Sequence, residues 1–183
     1  MRKNTKKATL FITQGAVIAA LYVALTWCLY EFSYGLYFIE FRLSEVLTVL
    51  PFFTSAAIPG LVIGCFIANI VSPMGIYDMA FGTLATLLSS VCTWYIGRLV
   101  HKGWKYMAPL PPVVFNTFII GAMLAILYPG DTGGTFWSLY LINGAGIFIG
   151  EIIICFGLGI PLIFLLKKHE RVIFKNELHH KNI

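Results

Sequence analysis

Charge is scarce in this chain. Asp, Glu, Lys and Arg make up 11% of its 183 residues, against about 25% in a typical soluble domain. That scarcity excludes an ordinary water-soluble fold, and 58% hydrophobic residues with a mean hydropathy of +0.83 put the chain in a membrane. Paired cysteines are missing as well. Cys28, Cys65, Cys92 and Cys155 each sit alone inside an apolar run, with no C-x-x-C, so they read as reduced packing residues rather than a metal site or disulfide frame. No histidine falls in an apolar run; His101, His169, His179 and His180 lie in polar segments. H-E-x-x-H, G-x-S-x-G and G-x-x-x-x-G-K-[ST] are all absent, so the sequence offers no catalytic set and no P-loop with which to power transport itself. No small-residue cleavage site closes the first apolar run, so the N-terminus is not expected to be a cleavable signal.

Long apolar runs are what the chain does have. We expect an all-α integral membrane protein, one domain built as a six-helix bundle. Its spans fall near 8–30, 44–55, 57–72, 77–99, 111–128 and 136–166, between basic tails at 1–7 and 167–183. The second and third spans are too short for two crossings of about 20 residues each, so they are compressed or re-entrant. Thr54, Ser55 and Pro59 interrupt them, and short, Pro-broken segments often line a cavity. Residues 31–43 read as an aromatic and acidic connection, partly extended. Pro109, Pro111 and Pro112 signal a helix start, and the run from Tyr128 to Gly134 is a turn-rich loop.

Positive charge is one-sided. Of thirteen Lys and Arg, four precede residue 8, three lie in 98–105 and five follow from Lys167. With six spans those twelve share one side, which the positive-inside rule makes the cytoplasm, with both termini. The net charge of +5 is therefore a topology signal, and nucleic acid is not required as a partner. Six of the eight acids (Glu31, Glu40, Glu45, Asp78, Asp131, Glu151) fall in spans or outer loops. An acidic, aromatic mouth of this kind suits a flat, polar or cationic small molecule.

Arg42 is the one cation off the basic side, and it opens the run F-R-L-S-E-V-L-T-V-L-P-F-F over 41–53. Ser44 suits a helix cap and Glu45 the first turn. Arg42 and Glu45 are close enough either to pair structurally or to grip one ligand. Glu151, mid-span, is either a cavity carboxylate or a cross-bundle hydrogen-bond partner. Asp78 is a site acid or the cap of the fourth span; with Gly82, Ala85 and Ser89 it marks a narrow polar face. Asn69, Asn116 and Asn143 can each be interhelical glue, and Asn143 shares a face with Ile147 and Glu151. Together these amides and carboxylates exceed what packing needs and match the mixed donor–acceptor edge of a purine-like base. Ala16, Ala20 and Ala24 form a small-residue stripe, for internal packing or a partner helix. The competing class is a membrane-embedded enzyme using Glu45 and Glu151 as an acid–base pair, which lacks a nucleophile or metal set.

The 41–53 run, A-A-I-P-G-L-V-I-G-C-F-I-A-N over 56–69 and D-M-A-F-G-T-L-A-T-L over 78–87 together resemble the QueT family. A-P-L-P-P-V-V-F-N (108–116) and G-E-I-I-I-C-F-G-L-G-I-P-L (150–162) extend the likeness over nearly the whole chain. The resemblance implies a substrate-capturing S component of an energy-coupling factor (ECF) transporter in the bacterial cell membrane. Its ligand would be queuine or another 7-deazaguanine queuosine precursor, with another flat vitamin or nucleobase as the alternative. It implies no cofactor in this chain. ATP would be used by two cytoplasmic ATPases joined to a transmembrane coupling subunit, and the Ala16, Ala20 and Ala24 stripe would dock on that subunit. Glu45 or Glu151 would then accept the base's N–H edge, and Arg42, Asn69 or Asn116 would donate to its carbonyl. Asp78 would meet an aminomethyl cation.

Overall fold

The computed structural model describes residues 2–34, 41–99, 104–127 and 134–169, and every regular element among them is helical. Helix α1 (Arg2–Cys28) runs unbroken from basic residues into the apolar span, so 2–7 extend the first helix rather than forming a separate tail. Helix α2 (Tyr30–Tyr34) occupies the start of the connection expected to be partly extended; residues 35–40 of that connection lie outside the described residues. A 3₁₀ segment, Leu43–Phe52, comes next, then α3 (Ala57–Ala68) with a closing 3₁₀ turn, Asn69–Val71. A π turn, Asp78–Gly82, leads into α4 (Thr83–Leu99). Then follow α5 (Leu110–Leu127), α6 (Phe136–Glu151), a π segment Ile152–Leu158 and α7 (Gly159–Lys168). The turn-rich loop at 128–133 and the end of the chain from residue 170 lie outside the described residues.

Local sequence explains much of this. Pro111 and Pro112 occupy the first turn of α5, where a missing N–H breaks no helical bond. The Thr135 hydroxyl caps α6 by accepting from the Ser138 backbone N–H at 3.4 Å. Val46, Thr48, Val49 and Pro51 make Leu43–Phe52 a poor α-helix. Wound as 3₁₀, its ten residues rise about 20 Å, at about 2.0 Å each. That falls short of the ~30 Å hydrocarbon core.

Among the described residues, four helical stretches are long and apolar enough to cross a membrane: Thr5–Cys28, Asp78–Arg98, Leu110–Leu127 and Phe136–Lys168. Leu43–Phe52 and Ala57–Val71 are the shorter apolar pieces, as expected of the second and third segments. Helices α1, α3, α4, α5 and α6 pack each against the next in that order. Leu43–Phe52 lies between them, touching α1, α3, α4, the π segment and α7. Leu47 and Leu50 pack with Ile18, Tyr22 and Leu61, while Val49 packs with Phe53, Ala108 and Ile163. The polarity is that of a membrane protein. Ile12, Ile126 and Leu141 are 68%, 67% and 67% exposed, while Thr26, Ser44, Thr48, Asn69 and Ser89 are buried.

Helices α1 and α3 meet backbone to backbone. A Cβ on Gly60 would lie 2.6 Å from the Gly15 carbonyl oxygen, and one on Gly64 2.8 Å from Tyr22 Cβ. Gly60→Ala should therefore lower stability by about 1–3 kcal/mol through overpacking, read as a lower Tm in detergent. Gly157→Ala, whose Cβ would have nothing within 4 Å, should change it by less than about 0.5 kcal/mol. Equal effects from the two would refute the close α1–α3 approach.

Candidate functional site

Arg42 enters the 3₁₀ segment and Asp78 opens the π turn. The fold brings them together as a buried ion pair, NH2 to Oδ2 at 2.7 Å. Asn69 braces the pair from the 3₁₀ turn that closes α3, accepting from Arg42 NH1 at 3.2 Å and donating to the Asp78 backbone carbonyl at 2.9 Å. Ser72 Oγ donates to Asp78 Oδ2 at 2.6 Å. Gly82 makes room for this network, since a Cβ there would lie 2.7 Å from Asn69 Nδ2.

Three local expectations are corrected here. Arg42 takes Asp78 as its ion-pair partner instead of Glu45; its backbone is extended (φ −82°, ψ 94°), which carries it away from the turn that holds Glu45. Asp78 does not cap the fourth span, because its carboxylate is turned to Arg42 and Ser72 and helical winding already begins at Ile76. Ser44 does not cap its segment either, and its Oγ accepts from Thr26 Oγ1 at 2.8 Å.

Glu45 does sit in the first turn, buried, with Tyr22 Oη donating to its Oε1. Among the described residues, its Oε2 has no hydrogen-bond partner. That is costly in a buried setting, and each such atom asks for an explanation. Across from it, Glu151 is buried with both oxygens engaged. Asn116 Nδ2 donates to Oε1 at 2.6 Å, and the Cys155 thiol donates to Oε2 at 3.1 Å. Glu151 closes α6 immediately before the π segment, and Asp78 opens the π turn. Interruptions of this type are frequent at functional sites.

Arg42, Glu45, Gly82, Thr86, Asn116, Ile120, Ile147 and Glu151 line one small cavity of about 10 Å³, room for a single water. The structure thus brings Arg42, Glu45, Asn116 and Glu151 to one point, with Asn69 and Asp78 directly behind Arg42. Asn143 is half-buried, two turns before Glu151, and does not line the cavity. Ala16, Ala20 and Ala24 lie elsewhere, exposed along an apolar groove between α1 and α3. Sequence reasoning missed Tyr22, Thr86, Ser72 and Cys155. Cys155 carried a usable signal, one turn after Glu151 on the same face. Tyr22 carried a weaker one, a tyrosine deep in a span rather than at its end.

One cation and three carboxyl groups meet here: Asp78 holds the guanidinium, Glu151 has both oxygens engaged, and among the described residues only Glu45 Oε2 is left without a donor. No solved structure matches the chain. Among curated proteins, the "Queuosine precursor transporter QueT" of Lactococcus lactis subsp. cremoris is 41% identical over 85 residues. That match takes in 45% of this chain and 48% of the relative, so it spans about half the relative's length. A profile described as QueT transporter matches residues 12–168 and so takes in every member of the buried cluster. The chain belongs to the QueT transporter family.

Proposed function

We propose that this protein is the substrate-capturing S component of an ECF-type importer, and that it binds a 7-deazaguanine queuosine precursor or queuine from outside the cell. The observation that carries the ligand reading is Glu45. A buried carboxylate oxygen without a partner among the described residues, on the wall of a polar cavity, is suited to the paired N–H donors of a guanine-like edge. Asn116 and Arg42, on the same wall, are the donors for the carbonyl. An aminomethyl cation is better met between Glu45 and Glu151 than at Asp78, whose Oδ2 already receives Arg42 and Ser72.

In this reading the chain is no enzyme and returns its ligand unchanged. ATP is hydrolysed by two cytoplasmic ATPases, joined to a transmembrane coupling subunit on which the exposed Ala16, Ala20 and Ala24 stripe docks. Six membrane segments, with Leu43–Phe52 and Ala57–Val71 short, place both termini on the cytoplasmic side of a bacterial membrane. The one-sided Lys and Arg support this orientation.

Thermal unfolding in detergent tests the ligand directly. At a hundredfold excess over Kd, a true ligand stabilises by about 2.7 kcal/mol. Tm should rise with queuine or 7-aminomethyl-7-deazaguanine and stay unchanged with guanine. No rise with any deazaguanine, in folded protein, would overturn the substrate; a rise with guanine alone would favour an S component for another nucleobase.

A further inference from the structure

We propose that Tyr22 is a positioning residue that links the partner-facing side of α1 to Glu45 in the ligand site. The inference rests on the docking and ligand reading proposed above. Helix α1 has two distinct faces. Ala16, Ala20 and Ala24 are exposed on one, along a groove of about 760 Å³ shared with Pro59 and Ile63. Tyr22 and Thr26 follow Ala20 and Ala24 by two residues, about 200° round the helix, and are 1% and 0% exposed.

Both buried side chains reach into the same neighbour. Tyr22 Oη donates to Glu45 Oε1, and Thr26 Oγ1 donates to Ser44 Oγ at 2.8 Å. Ser44 and Glu45 begin the 3₁₀ segment that Arg42 enters, so α1 is tied by two side chains to the wall of the cavity. The tie is specific to the hydroxyl. The Tyr22 ring packs in the apolar cluster with Leu47 and Leu61, and its hydroxyl donates to the carboxylate. When a partner helix engages the alanine face and shifts or rotates α1, Tyr22 moves with it. Glu45 then loses the donor that fixes its rotamer, and the opposite oxygen loses its aim at the ligand.

Tyr22→Phe removes that one oxygen and keeps the ring. Kd for 7-aminomethyl-7-deazaguanine is measured on the protein alone and on its complex with the host's coupling subunit and ATPases in nanodiscs. Linkage requires that docking weaken ligand binding by the factor by which ligand weakens docking. Wild type should bind about tenfold or more weakly in the complex, within the usual range of coupling. Tyr22→Phe should form the complex with the two constants within about twofold. Thr26→Val should reduce the ratio in part, and it carries the test should Tyr22→Phe be poorly folded. A residue that only packs would leave the ratio alone. A wild-type ratio of one, or a wild-type ratio retained in both variants, overturns the role of Tyr22 and leaves the docking reading standing. Intact ligand binding with no complex formed by wild type overturns the docking reading and the proposal with it.

Discussion

Asp78→Ala should destabilise the protein by about 3–5 kcal/mol, because it removes one partner of a buried ion pair closed at 2.7 Å. The loss is compounded by the donors that converge on Asp78. Ser72 Oγ and Arg42 NH2 both give up an acceptor at Oδ2, and Asn69 is left bracing a pair that no longer exists. Thermal or denaturant unfolding in detergent reads the effect. Taking out both charges with apolar residues of similar volume, Arg42→Met with Asp78→Leu, should recover most of the stability, since a buried pair contributes little net once its desolvation is counted. A single Asp78→Ala that unfolds like wild type would mean that Arg42 is stabilised by something other than this carboxylate.

The second large effect is on binding. Glu45→Gln should weaken 7-aminomethyl-7-deazaguanine by about a hundredfold, the equivalent of one or two hydrogen bonds to a charged acceptor. The amide keeps an oxygen for Tyr22 but turns an NH₂ toward a ligand edge that also donates. Folding should survive, because Oε2 has no partner to lose among the described residues. Glu151→Gln should cost less, within about tenfold, because Asn116 and Cys155 already occupy both oxygens of that carboxylate. Isothermal titration on the two variants gives the comparison. If Glu151→Gln proves the more damaging, the ligand's donor edge lies against α6 and not against the 3₁₀ segment.

Which side chains would be buried was largely readable from the chain. A carboxylate or amide inside an apolar run has few places to go, so Glu45, Asp78, Asn69, Asn116, Asn143 and Glu151 stood out, and all but the half-buried Asn143 are buried. The face through Asp78, Gly82, Ala85 and Ser89 was also readable from helical period alone, and all four residues are buried. Partners were another matter. Arg42 meets Asp78 across 36 residues of sequence, and no local rule distinguishes that acid from Glu45, three positions away. Extended backbone at a segment's entry decides the choice, and it is set by packing against α3 and the π turn. The long 3₁₀ winding of Leu43–Phe52 was equally hidden, because its apolar pattern serves a buried helix of either pitch. The π turns had no signal beyond Pro161, which offers no N–H to the carbonyl four residues back.

The bicyclic base proposed above as ligand cannot enter a space of about 10 Å³, so its capture would be a gated event. The walls bearing Arg42, Asn116 and Glu151 have to part first. Apparent affinity then carries the fraction of time the gate stands open: a gate open about one part in a hundred weakens binding about a hundredfold. At high ligand the loading rate levels off at the speed of opening instead of rising toward the collision limit.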